Sequence, residues 1–229
     1  MKPFVVVVAN HVKPGFEAEY LELVLPIIDA MRHETSFINN VIHRAPDDPT
    51  RFMIYETWAD RDDVFNVQIK RDYRKAYEAR LPKMLRAPRD MAFWEPLRGD
   101  FTIFQRPPAQ SRRISLVMAL EVDSGFEAEY LERVEPVFDA MRHEPTFINA
   151  ALSRDSDNSA KFLIRETWAD KRDLLEIQMK RDYRKAFVDR LGEILAAPPH
   201  MEFWEPLRDD STFFAPAADA ALHTRELLS

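Results

Sequence analysis

Phe52, Ile54, Glu56 and Trp58 stand at alternate positions of a β-like run, and 110 residues later (166 − 56) the same four places hold Phe162, Ile164, Glu166 and Trp168. Alternate residues of a strand share one face, so each glutamate is set among phenylalanine, isoleucine and tryptophan. A carboxylate in such company loses hydration, which suits it to accept a proton from a phenol near neutral pH. The competing structural reading is an ion pair with an arginine such as Arg74 or Arg80, tying sheet to helix. Trp58 and Trp168 suit a core, and an indole also stacks on a flat aromatic ligand and offers one N–H donor.

Other polar residues recur at the same offset. Tyr73-Arg74 and Tyr183-Arg184 pair a ring with a cation able to hold an anionic substrate oxygen. Asn39 and Asn149 could orient a ligand carbonyl or satisfy a buried backbone group. His33 and His143, each followed by glutamate, close a helical segment, where the helix dipole accounts for a cationic histidine; they are kept as substrate-binding candidates. A His-Glu pair without further spaced ligands is no metal signature, and no metal is expected. Lys70, Arg71, Arg74 and Lys75 interleave with Tyr73 and Tyr77, but helical spacing separates the rings from most of the basic groups. With a net charge of −7, this reads as a solvated helix face and not a nucleic-acid patch.

These pairs belong to an internal duplication of a whole domain. Gly15-Phe16-Glu17-Ala18-Glu19-Tyr20-Leu21-Glu22 returns from Gly125, Met31-Arg32-His33-Glu34 from Met141, and Phe93-Trp94-Glu95-Pro96-Leu97-Arg98 from Phe203, with no gap needed. Each copy is long enough for a small domain with its own core, too long for a solenoid repeat. The expected division is 1–106, 112–214 and a peripheral tail at 215–229, with 107–111 as linker. The chain has no cysteine, which removes disulfides and thiolate chemistry. No apolar run reaches the roughly 20 residues that span a bilayer. A cytoplasmic protein with a small-molecule ligand, and no membrane or nucleic-acid partner, is the expectation.

Within each copy the pattern predicts a strand (4–12, 114–122), a turn at Gly15 or Gly125, and an amphipathic helix carrying Tyr20, Ile27 and Met31 or Tyr130, Val137 and Met141. Pro26 and Pro136 fall inside that helix, where a kink or break is expected. A hairpin follows (37–44 with 51–58; 147–154 with 161–168). Asp60 and Asp170 then open a second helical region, interrupted by Pro82 or Gly192, and a last strand surrounds Trp94 or Trp204. The order β-α-β-β-α-β is ferredoxin-like. Such a unit covers one sheet face with helices and must bury the other. The fold class is therefore α+β, with the two units packed sheet to sheet as an intramolecular pseudo-dimeric α+β barrel. A further homodimer is left open.

The start Lys13-Pro14-Gly15-Phe16-Glu17-Ala18-Glu19, the turn Arg44-Ala45-Pro46-Asp47-Asp48-Pro49-Thr50-Arg51-Phe52 and the block Tyr55-Glu56-Thr57-Trp58-Ala59-Asp60 resemble the antibiotic biosynthesis monooxygenase family. The resemblance implies a dimeric α+β barrel and, in some members, cofactor-independent oxidation of phenolic or quinol substrates by molecular oxygen. Trp58 and Trp168 match a strand-three tryptophan of the anthrone-oxidising branch, whose asparagine four residues earlier is Ile54 or Ile164 here. Haem is not expected: the position of the axial histidine in the haem-degrading branch holds Tyr73 or Tyr183, and that of its first-strand asparagine holds Val8 or Met118.

The resulting expectation is a cofactor-free monooxygenase of an aromatic polyphenol, hydroquinone or polyketide-like compound, with one pocket per unit. Glu56, Trp58 and Tyr73, and in the second copy Glu166, Trp168 and Tyr183, are the catalytic candidates. Asn39, Arg74 and His33, with Asn149, Arg184 and His143, are the substrate-binding ones. A non-catalytic small-molecule binder, or an isomerase or cyclase on the same barrel, are the alternatives.

Overall fold

In a computed structural model of the chain, residues 2–101 and 113–211 are described. The first unit runs β1 (Phe4–His11), α1 (Glu17–Met31), β2 (Phe37–Arg44), β3 (Arg51–Trp58), α2 (Arg61–Asn66), α3 (Lys75–Met84) and β4 (Asp90–Phe101). The second repeats it as β5 (Ile114–Glu121), α4 (Glu127–Met141), β6 (Phe147–Asp155), β7 (Lys161–Trp168), α5 (Lys171–Glu176), α6 (Asp182–Ile194) and β8 (His200–Ser211). The linker expected at 107–111 and the tail at 215–229 lie outside the described residues. Among the described residues no helix is long and apolar enough to cross a membrane.

Local chemistry explains most boundaries. Gly15 and Gly125 adopt φ of +90° and +96°, values that side-chain-bearing residues rarely take, and so turn each first strand into its helix. Asp60 and Asp170 cap α2 and α5, accepting from the backbone N–H of Asp62 at 3.2 Å and of Asp173 at 2.7 Å. Two expectations need correction. Helices α1 and α4 continue through Pro26 and Pro136, because the one lost hydrogen bond is offset by a packed face of Tyr20, Val24, Ile27, Ile28 and Met31 or its counterpart. The second helical region does not break at Pro82 or Gly192, which lie inside α3 and α6. It breaks earlier, where turns of 3₁₀ type (68–70, 72–74 and 178–180) carry Gln68 and Gln178 into the interior.

All eight strands join in one closed antiparallel barrel in the order β1-β3-β2-β8-β5-β7-β6-β4. The long strands close it. The start of β4 pairs with β1 (Val5 opposite Trp94) and its end with β6 of the other unit (Asp100 opposite Ala150), while β8 pairs with β5 and then β2. The two sheets thus meet edge to edge as well as face to face, and no free edge remains among the described strands. The inward face fills with Val5, Met53, Tyr55, Trp94, Val117, Leu163 and Trp204. The outward faces carry two helix-covered cores, one per unit, on the side that holds Ile54 and Trp58 or Ile164 and Trp168.

His43 is fully buried near Arg165, and that burial together with the guanidinium pushes its imidazole down to about 3. The unfolded chain binds this proton below about pH 6.5 whereas the folded chain does not, so stability falls as pH drops from 6.5 toward 3. Each unit of that fall costs about 1.4 kcal/mol. Urea unfolding between pH 6 and 4.5 checks this: the slope is expected in the wild type and should flatten in His43→Gln.

Candidate functional site

The polar centre of each unit lies between the outward sheet face and the helices. Strand β3 presents Glu56 and Trp58 on one side, as period two requires, and the buried Trp58 indole donates Nε1–H to Glu56 Oε2 at 3.0 Å. Trp168 does the same to Glu166, also at 3.0 Å. From here the two units differ. Arg184 closes on Glu166 with two hydrogen bonds, Nη1 to Oε1 at 3.1 Å and Nη2 to Oε2 at 2.8 Å. Arg74 stops 4.0 Å from Glu56, its Nη2 lying 3.1 Å from the Met31 sulfur. Arg80 pairs with Glu19 instead.

Glu56 opens onto a cavity of about 30 Å³, room for about one water. Its polar walls are Asn40, Glu56, Arg74, Tyr77 and Arg89, and its apolar walls come from β1, α1 and β3. Asn40 lies opposite Glu56 on β2, is 1% exposed, and among the described residues neither its side-chain oxygen nor its nitrogen is hydrogen-bonded. Burial raises the Tyr77 hydroxyl to about 12, keeping it protonated. Arg89 borders both this cavity and an open groove of about 500 Å³ lined by Lys13, Glu78, Leu81 and Arg86, and donates to Glu78 at 2.8 Å.

The sequence-derived candidates scatter around this centre. Glu56 and Arg74 line the cavity, while Trp58 stands behind Glu56 with its edge against Phe37, ring centroids 5.6 Å apart. Tyr73 and Tyr183 sit outside, each half-buried and donating to Gln68 at 3.0 Å or Gln178 at 3.4 Å; burial raises both hydroxyls above the usual tyrosine value. Asn39 and Asn149 pair with Thr57 and Thr167, on the barrel-inward face and away from the glutamates. His33 and His143 are exposed in the turns after α1 and α4. The basic run is compensated, Arg71 bonding Glu34 at 2.6 Å and Lys75 bonding Asp72 at 2.7 Å.

Reading the sequence for repeated residues missed four kinds of group. Gln68 and Gln178 were visible, since both copies have them; each amide bridges two carboxylates, Glu34 with Asp63 or Glu144 with Asp173. Asn40, Tyr77 and Arg89 were hidden because the second copy replaces them with Ala150, Phe187 and Pro199.

The antibiotic biosynthesis monooxygenase family matches the chain twice, over residues 3–79 and 113–190. The chain belongs to that family. This tandem family member is 32% identical over 92 residues to a protein of Pestalotiopsis microspora named "Putative monooxygenase", covering 40% of this chain and 77% of that one. Among solved structures it resembles a "Putative monooxygenase" of Fusobacterium nucleatum, with a TM-score of 0.80 at 17% identity, over 93% of this chain and 96% of that one. It also resembles an anthrone oxidase-like protein, with a TM-score of 0.67 at 14% identity, over 95% and 97% of the two chains. At these identities the structural likenesses establish the fold alone.

Proposed function

We propose that the protein is a monooxygenase that needs no cofactor, oxidising a phenolic or hydroquinone-type aromatic with molecular oxygen at the Glu56 cavity. The supporting observation is a buried carboxylate that faces a cavity while its nearest guanidinium stays 4.0 Å away. A carboxylate so placed has a free lone pair with which to accept a phenol proton, and Arg74 is in reach of the phenolate that results. Trp58 acts through Glu56 as a positioning residue, fixing one carboxylate oxygen. The electrons come from the substrate: for an anthrone-like ring, CH₂ plus O₂ gives C=O plus H₂O, one oxygen atom entering the ring carbon and the other leaving as water. Family membership and the anthrone oxidase-like fold support the same reading. A ring is larger than the cavity, so it enters by displacing side chains at the wall.

Chelator-treated, colourless protein is expected to convert 1,8-dihydroxyanthrone faster than the spontaneous rate under oxygen and not at all under argon. Conversion that persists under argon would favour an isomerase. Saturable quenching of tryptophan fluorescence without turnover would favour a binding protein.

A further inference from the structure

We infer that the chain has a single ligand site, in the first unit, where Asn40, Tyr77 and Arg89 read the ligand's oxygens, and that the second unit's counterpart has become structural core. This rests on the site proposed above but not on its chemistry.

On the outward, helix-covered face, four polar residues that differ between the copies cluster around one place. Asn10, whose Nδ2 donates to the Tyr20 hydroxyl at 3.1 Å, becomes Leu120; Tyr77, its ring tilted 59° to that of Tyr20 with centroids 6.1 Å apart, becomes Phe187; Asn40 becomes Ala150; Arg89 becomes Pro199. The apolar walls grow as well, Val8 becoming Met118 and Ile28 becoming Phe138. The second copy bears the marks of this loss. Among the described residues the buried Tyr130 hydroxyl, counterpart of Tyr20, has no hydrogen-bond partner, because Leu120 stands where Asn10 donates to Tyr20. Arg184 consumes both oxygens of Glu166, so that carboxylate has little left to offer.

In the first unit one polar group, the Asn40 amide, is unspent. Asn40 presents two donors and one acceptor, none used and all inside the wall. An unmatched buried amide is costly unless a ligand satisfies it. An adjacent carbonyl and hydroxyl on one edge of an aromatic ring would use both ends of the Asn40 amide, with Arg74 and Arg89 flanking the oxygen that carries charge. Arg89 also divides the outer groove from the inner cavity, so swinging it away from Glu78 joins the two into one entry path.

Titration of the intact protein with 1,8-dihydroxyanthraquinone, which has this carbonyl–hydroxyl edge and cannot be oxidised further, tests the inference. One molecule per chain is expected, and Asn40→Ala/Tyr77→Phe should weaken binding at least tenfold with little change in Tm. The second copy already carries both residues on the same scaffold, so the variant should fold. Two molecules per chain, unaltered binding by the variant, or no binding would overturn the single site. Binding at one site with no turnover of the anthrone would sink the oxygenase reading and leave the single site standing.

Discussion

Arg184→Leu should lower the free energy of unfolding by about 3–5 kcal/mol, the cost of stranding one partner of a buried ion pair. Glu166 is 3% exposed and both its oxygens bond Arg184. Without the guanidinium it keeps, among the described residues, only the Trp168 indole N–H. Arg74→Leu in the first unit should cost about 1 kcal/mol, because Arg74 stands 4.0 Å from Glu56 and the neighbouring cavity can admit a water. Urea unfolding of the two variants at pH 7 makes the comparison. Equal losses would mean that both arginines are structural and that the first unit holds no spare carboxylate.

Glu56→Gln should lower the kcat of oxygen-dependent phenol oxidation by about 10²–10⁴-fold, the usual loss when a general base is removed. Stability should change little, since the glutamine carbonyl oxygen can still accept the Trp58 N–H. A control separates this from mere misplacement. If Glu56 removes the phenol proton, the deficit should shrink when assays are run above the phenol's own pKa, where the substrate arrives ionised. An equal deficit at every pH would assign Glu56 to positioning, and unchanged turnover would remove it from the mechanism.

Much of the architecture could be read directly. Duplication at a fixed offset, period-two strands and the aspartates at 60 and 170 give two ferredoxin-like units, and a sheet with one uncovered face requires the partner that the second copy supplies. The placement of Glu56 beside Trp58 also follows from alternation alone. What could not be read depends on long-range geometry. The break before α3 arises because the Gln68 amide is drawn inward to Glu34 and Asp63, which are far apart in sequence. Asn39 lies opposite Thr57 on the inward face while its neighbour Asn40 faces the cavity, a one-residue distinction set by the irregular pairing between Phe37 and Asn39. The proposed site was harder to see because repetition reveals what both copies need to fold, whereas Asn40, Tyr77 and Arg89 occur in one copy.

The most direct test of the central claim is the oxygen stoichiometry of 1,8-dihydroxyanthrone oxidation by metal-free, flavin-free protein at an oxygen electrode, corrected for the protein-free rate. The account predicts one O₂ consumed per anthrone converted and no oxygen returned on adding catalase, because no hydrogen peroxide is formed. Uptake no faster than the protein-free rate, or peroxide formed in proportion to product, would contradict a monooxygenase acting at the Glu56 cavity.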